Sequence, residues 1–170
     1  MADAQERRLV LRAQSGDREA FDRLLLDLGP RLLRYVTRVT GDPAMAEDVV
    51  QETFIAIVRK ISWLSDPSLF RAWAYRIASR EAFRLLRKSR RYVEPVEDLT
   101  FHEETTDPWQ RERLLASLEQ LSPASRAVVT LHYLEEMPLA DVAAVLDLPL
   151  GTVKSRLSYG LAQLRKENPA

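Results

Sequence analysis

The sequence has no cysteine and only 5 glycines in 170 residues. Without cysteine the chain can form no disulfide, no thiolate metal site and no cysteine nucleophile, and we expect it to work in a reducing cytoplasm. Few glycines and 29% charged residues argue against a β-sandwich, a fibre or a disordered chain. No stretch approaches the roughly 18 consecutive apolar residues that a membrane span needs, and the N-terminus lacks the apolar core of a signal peptide. A soluble, unprocessed protein is therefore expected.

Groups that could perform chemistry are also scarce. The two histidines, His102 and His132, have no second ligand at metal-binding spacing. The sequence contains no glycine-rich phosphate loop, nucleophile elbow or metal motif. It therefore predicts no catalytic residue, no metal and no cofactor, and we expect His132 to be hydrogen-bonded within its own helix.

Charge is abundant but unevenly distributed along a chain whose formal net charge is zero. Residues 1–91 carry 18 Lys and Arg against 12 Asp and Glu, residues 92–108 carry six acids and no base, and residues 109–170 carry seven of each. A basic first part indicates a polyanionic partner more strongly than the total charge does.

Apolar residues recur at intervals of three and four, and alternating β-branched runs are absent, which predicts an all-α protein. Residues 93–108 are acidic and lack helical periodicity, which indicates an extended linker between two small helical domains, residues 1–92 and 109–170. Asp42 should cap a helix that begins at Pro43, and Gly29-Pro30 should kink or divide the helix before it. Helices are predicted over about 4–15, 17–40, 43–60 and 69–91, and then over 111–121, 124–137, 139–146 and 151–167.

The last two predicted helices form a helix-turn-helix arrangement, an eight-residue helix and a longer one joined by a tight turn. At about 100° per residue, one side of the longer helix would pack on its domain. That side carries Val153, Leu157, Leu161 and Leu164. The opposite side presents Thr152, Ser155, Ser158, Tyr159 and Ala162, with Lys154 and Arg156 on its flanks. A polar face flanked by cations suits the major groove of DNA, although periodicity alone also fits an ordinary amphipathic C-terminal helix.

The helix over 69–91 carries a stripe of arginines along one side. We call Arg76, Arg80, Arg84, Arg87 and Arg91 the arginine stripe. Like charges at i and i+4 destabilise an isolated helix by a few tenths of a kcal/mol per pair, and a phosphate backbone would offset that cost. Aromatic rings beside cations can hold unpaired bases, so Phe70 and Trp73 on this side and Trp63 with Ser62 in the preceding loop are candidates. Core packing for the aromatics and a solvated face for the arginines are the alternatives.

The segment AEDVVQETF lies in the helix over 43–60. Its apolar residues can face the core, whereas Asp48, Gln51, Glu52 and Ile55 line another side. An acidic, partly apolar face suits a basic partner helix, although acids early in a helix are also explained by the helix dipole alone.

Three segments, AEDVVQETF, FRAWAYRIASREAFRLLRKSRR and LPLGTVKSRLSYGLAQLRK, in this order, resemble the extracytoplasmic-function sigma factors over nearly the whole chain. The resemblance implies that residues 1–92 form the region-two domain and residues 109–170 the region-four domain. It implies a subunit that directs core RNA polymerase to promoter DNA and assists melting without chemistry of its own. An anti-sigma factor is the implied regulator, and the two domains would swing on the linker.

The resemblance also implies roles for particular residues. The clamp coiled coil of the polymerase β′ subunit would be met by Asp48, Gln51, Glu52 and Phe54. The minus-ten element would be met by Trp63, Trp73, Arg76, Arg80, Arg84 and Arg87. The minus-thirty-five element would be met by Thr152, Lys154, Ser155, Arg156 and Tyr159. This chain departs from the family pattern where it has Arg80 and Arg84, at positions that are Asn and Asp in many members, and where it has Asp147, at a position that is commonly Gly.

Two other functions remain open on the sequence. A sigma-like decoy would bind an anti-sigma factor without binding DNA, but it would have no need of the arginine stripe. An autonomous helix-turn-helix repressor would be a dimer on a palindrome, and it would leave the acidic linker and the AEDVVQETF face unexplained.

Overall fold

The structure, a computed structural model, describes residues 2–89 and 117–167, and the regular elements in both ranges are all helical. The first range contains α1 (Ala2–Gln14), α2 (Arg18–Thr40), α3 (Pro43–Lys60) and α4 (Phe70–Lys88). The second contains α5 (Pro123–Val129), α6 (Leu139–Leu146) and α7 (Leu150–Glu167). The predicted all-α fold is confirmed. The predicted linker, Arg91 and His102 lie outside the described residues.

The start of α3 follows the local chemistry that the sequence predicts. Gly41 ends α2 in the left-handed region at φ 67°, where its N–H donates to the carbonyl of Thr37. The carboxylate of Asp42 then accepts from the N–H of Ala44 at 3.1 Å and of Met45 at 3.2 Å, and Pro43 occupies the first helical position. One helix therefore ends and the next begins within three residues.

Helix α2 runs without a break past Pro30, so of the two outcomes predicted for Gly29-Pro30, a kink or a division, the division is wrong. Buried Leu28 and Leu32 on either side hold the helix against the core, and this packing outweighs the hydrogen bond that proline cannot make. Gly29 instead allows close packing, because a Cβ there would lie 3.1 Å from the ring Cζ of Phe54 in α3.

Helix α4 is buried on a wider face than its apolar residues predict. Ala74, Ala78 and Ala82 are fully buried, as expected, but Tyr75 and Ser79 are buried too. Tyr35 and Ser79 share a buried hydrogen bond of 2.7 Å between their hydroxyl oxygens. The reason is that α4 packs on α2 and α3 and also on α6 of the second range.

The two ranges share one continuous hydrophobic core. Arg126 of α5 donates from Nη1 to the carbonyl of Arg38 in α2 at 2.8 Å, and burial lowers the pKa of this guanidinium. Burial also raises the pKa of Tyr35 and Tyr75, and the carboxylate of Glu135 in the second range raises both further. The region-two and region-four halves that the sequence predicts are thus packed together here.

Between α5 and α6 the chain passes through a π-helical segment, Thr130–Leu134. The helix predicted over 124–137 therefore ends about three residues early, and Glu136 takes a left-handed φ of 56°. The ring Nδ1 of His132 lies 2.8 Å from the carbonyl oxygen of Met137, so the histidine has a structural partner, but this partner lies beyond the end of the helix and not within it as predicted. Of the helix predicted over 111–121, only the end is described, as Ser117 and the short 3₁₀ helix Leu118–Gln120.

Candidate nucleic-acid interface

Trp63 lies in the connection between α3 and α4 and is 77% exposed. The connection consists of two 3₁₀ turns, Ile61–Trp63 and Pro67–Leu69. Ile61 is buried and Leu64 packs on the core, so the indole is held outward between two apolar anchors. Trp63 is thus an exposed side chain in the loop before α4.

The second of these turns is capped by Asp66. Its carboxylate accepts from the N–H of Ser68 at 2.9 Å and from the Ser68 hydroxyl at 2.7 Å, and these bonds lower the pKa of Asp66. The first turn is held by Gln14 at the end of α1, whose side-chain amide reaches two backbone carbonyls of the loop. Sequence reasoning missed Gln14, because the contact joins residues 47 and 50 positions apart.

The aromatic residues of α4 differ from the prediction. Phe70 is 1% exposed, so its assignment to the arginine side as a candidate base contact is wrong. The start of α4 lies beside α1 and α2, and Phe70 lines a cavity there with Leu9, Leu24 and Leu28. Trp73 is partly buried against the core, with its ring 6.3 Å from that of Phe70.

Of the described members of the arginine stripe, Arg80, Arg84 and Arg87 are exposed and Arg76 is half-buried. Three of these four have protein partners. Arg84 forms a two-pronged ion pair with Glu81, with contacts of 2.8 and 2.5 Å, and this guanidinium lowers the pKa of Glu81. Arg80 contacts the carboxylate of Asp147 at 3.2 Å, and Arg76 contacts it at 3.6 Å.

Asp147 therefore links the helix-turn-helix to the arginine stripe. It ends α6 in the left-handed region, at φ 58° and ψ 45°, a conformation that Asp tolerates better than most residues other than Gly and Asn. Between α4 and the helix-turn-helix lies a cavity of about 180 Å³ lined by Arg80, Arg87 and Arg156 among others. The Nε of Arg156 is buried without a hydrogen-bond partner in the described residues, so Arg156 faces this cavity and not an open flank of α7.

The remaining predicted face of α7 is largely as expected. Lys154 is exposed and Thr152, Ser155 and Tyr159 are partly exposed, whereas Val153, Leu157 and Leu164 are buried. Ser158 is 8% exposed, so its placement on the open face is wrong. The reason is that α7 packs against both α5 and α6, which covers two of its sides.

Helix α3 carries the acidic face that the sequence predicts. Asp48, Gln51 and Glu52 are exposed, while Ala46, Val49 and Ile57 are buried. Phe54 is only partly exposed, because its ring packs where Gly29 leaves room on α2. The face thus offers three polar side chains beside a partly covered aromatic ring.

Neither a metal cluster nor a membrane span is found in the parts of the chain that the structure describes. No three His, Cys, Asp or Glu side chains come together there as metal ligands. None of the described helices is long and apolar enough to cross a bilayer.

Two family models match the chain. The model described as Sigma-70 region 2 matches residues 24–92, and the model described as Sigma-70 region 4 matches residues 111–164. The RNA polymerase sigma-H factor of Pseudomonas aeruginosa is 32% identical, over 92% of this chain and 90% of its own length. The ECF RNA polymerase sigma-E factor of Escherichia coli is 32% identical, over 88% of this chain and 86% of its own length.

Solved structures resemble the whole molecule. CnrH in complex with the cytosolic domain of CnrY matches with a TM-score of 0.70 and 26% identity, over 96% of each chain. The sigma factor RpoE of Bartonella quintana, in complex with the anti-sigma factor NepR, shares the fold with a TM-score of 0.68 and 24% identity, over 88% of this chain and 98% of its own.

Proposed function

Because this chain belongs to the extracytoplasmic-function sigma factors of RNA polymerase, we propose that three surfaces of the molecule divide the work of promoter recognition. The protein directs core RNA polymerase to specific promoters and assists DNA melting in transcription initiation. Residues 1–92 and 109–170 are the proposed region-two and region-four domains, with 93–108 as the linker. It works in the cytoplasm and has no chemistry of its own.

The first surface meets the minus-ten element. Trp63 is the exposed stacking platform for an unpaired base, because an indole can stack on any base face. Arg80, Arg84 and Arg87, on the helix that follows, neutralise the phosphates of the melted strand. The exposure of Trp63 directly before an arginine-lined helix is the observation that carries this assignment. Trp73 supports the surface from below, since it is partly buried against Phe70.

The second surface meets the minus-thirty-five element as duplex DNA. Thr152, Ser155 and Tyr159 face base edges, and Lys154 approaches phosphate. The hydroxyl of Tyr159 accepts from the side-chain amide of Gln163 at 2.6 Å, which orients the ring. Arg156 can contact DNA only after α4 and the helix-turn-helix separate, because its guanidinium faces the cavity between them.

The third surface docks on core polymerase. Asp48, Gln51 and Glu52 present carboxylates and an amide to a basic helix of the β′ clamp. The ring of Phe54 packs at Gly29 of α2, and its partial exposure adds an apolar contact.

Promoter binding requires the two halves to separate, because Arg76 and Arg80 are paired with Asp147 in the packed arrangement. The packed arrangement is therefore the resting form. CnrH and the RpoE of Bartonella quintana were both solved with a protein partner, the latter with an anti-sigma factor. We propose that an anti-sigma factor binds this chain and holds it in the packed form.

Run-off transcription with purified core polymerase tests these assignments. The double variant Arg80→Glu/Arg84→Glu should lose promoter opening while it keeps binding to core polymerase. The matched control Arg8→Glu/Arg18→Glu makes the same charge change at exposed arginines of α1 and α2 and should open promoters normally. Normal opening by the first variant, or equal loss in both, would show that the arginine stripe does not contact the promoter.

A further inference from the structure

The exposed position of Trp63 has an entropic cost for function. A large apolar side chain on a loop must become ordered when it stacks on a base, and that ordering reduces the gain from stacking. A loop that is rigid before DNA arrives avoids the loss. Some contact within the free protein must therefore hold the loop on both sides of Trp63.

Gln14 makes that contact. Its Nε2 donates to the carbonyl of Ile61 at 2.9 Å and to the carbonyl of Leu64 at 2.7 Å. These carbonyls belong to the first and last residues of the turn that contains Trp63, and the N–H of Leu64 also donates to the carbonyl of Ile61 at 3.2 Å. The side-chain amide of Gln14 thus links the two ends of the turn, and each of its two hydrogens is donated to one carbonyl.

We propose that Gln14 is a positioning residue for promoter melting, which acts through Trp63 by holding the turn 61–64 in the geometry that presents the indole. The proposal rests on the proposed role of Trp63. Gln14 itself contacts no DNA: its side chain is partly buried and directed at the loop backbone.

Substitutions of Gln14 should affect the loop according to whether the new side chain can donate hydrogen bonds to the two carbonyls. A carboxylate has the same shape as the amide but no hydrogen to donate, so Gln14→Glu places a negative charge against two carbonyl oxygens. Gln14→Lys supplies an ammonium group with three donors that can reach the same carbonyls. Gln5→Glu, on an exposed position of the same helix, is the matched control for the added charge.

The first measurement is open-complex formation on a double-stranded promoter and on the same promoter with a preformed minus-ten bubble. Gln14→Glu should slow opening of the double-stranded template on the order of tenfold, as expected for the loss of two hydrogen bonds. It should leave binding to core polymerase unchanged, and it should slow transcription from the bubble template much less, because the bases there are already unpaired. Gln14→Lys should restore most of the rate, and Gln5→Glu should have no effect. Equal loss on both templates would overturn the proposal, because a general folding defect is not corrected by melting the DNA.

The second measurement separates the role of Gln14 from that of Trp63. In a double-mutant cycle with Trp63→Ala, Gln14→Glu should cost nothing further if it acts through the indole, whereas independent effects would add. Labelling with 5-fluorotryptophan gives a ¹⁹F signal for Trp63, with those of Trp73 and Trp109 as internal references. Gln14→Glu should sharpen and shift the Trp63 signal alone. If Trp63→Ala opens promoters normally, the role of Trp63 fails, but this spectrum still reports whether Gln14 holds the loop; an unchanged Trp63 signal refutes the positioning role.

Discussion

Replacing Asp147 by Asn should weaken the attachment of the helix-turn-helix to the arginine stripe. Asn has nearly the same shape as Asp and also tolerates the left-handed conformation that this position adopts at φ 58°, so the turn itself should be preserved. The substitution removes only the charge that Arg76 and Arg80 share. Any change in the arrangement of the two halves would then report the ion pairs.

The size of the effect follows from how exposed these groups are. The side chain of Asp147 is 67% exposed, and those of Arg76 and Arg80 are 40% and 60% exposed. Exposed pairs contribute roughly 0.2–1 kcal/mol each, so the two together stabilise the packed form by about 1 kcal/mol. That energy corresponds to about a fivefold shift of the equilibrium toward the separated form. The remaining interface, including the bond from Arg126 to the carbonyl of Arg38, should keep the packed form substantially populated.

Fluorescence energy transfer measures this equilibrium directly. Since the chain has no cysteine, Asp22→Cys in α2 and Ala144→Cys in α6 would place dyes on exposed positions of the two halves without competing thiols. Asp147→Asn should lower the transfer efficiency at low salt and weaken its salt dependence, because the pairs that salt screens are gone. Asp141→Asn, an exposed carboxylate in the first turn of the same helix, is the matched control. If Asp147→Asn leaves the transfer efficiency and its salt profile like those of the unsubstituted chain, the ion pairs do not hold the halves together.

Three further predictions concern the stripe, the core and pH. Arg87→Ala should reduce the salt slope of promoter binding by about 0.7, as measured by titration at several salt concentrations, if this guanidinium neutralises one phosphate of the melted strand; an unchanged slope would remove it from the DNA surface. Gly160→Ala should destabilise the protein by about 1 kcal/mol in urea unfolding, because the added Cβ would lie 3.2 Å from Cγ2 of Val129 and this overpacking exceeds the roughly 1 kcal/mol of helix propensity that alanine adds; unchanged or higher stability would mean that α7 can shift. Stability from the Glu81–Arg84 pair, which lowers the pKa of Glu81, should be fully present above the unfolded pKa near 4.5 and be lost as pH falls through the lower folded pKa. Glu81→Gln should remove that part of the acid dependence, and an unaltered unfolding profile in acid would argue against it.

The sequence predicts local structure well where a few neighbouring residues decide it. Asp42 and Pro43 specify a helix start without help from the rest of the chain, and the bounds of α6 agree with prediction. It does not predict contacts between distant segments. The burial of Phe70 and Ser158, and the attachment of Gln14 to its loop, each depend on which helices pack together, and periodicity cannot supply that information. The same limit applies to Arg156, which periodicity places on an open flank of α7 but which faces a cavity in the structure.

The arginine stripe places like charges close together, and its ion pairs reduce the repulsion between them. Arginines spaced at i and i+4 repel each other along α4, and this repulsion is a cost to the protein without DNA. In the packed form Asp147 and Glu81 offset part of it, but both partners are weak, because the pairs are exposed and a surface pair contributes little. A phosphate backbone can therefore displace these carboxylates at small cost, and it releases counterions as it does so. The surface carboxylates thus reduce the repulsion between the arginines in the protein without DNA. Because these ion pairs are weak, they leave the arginines able to bind phosphate.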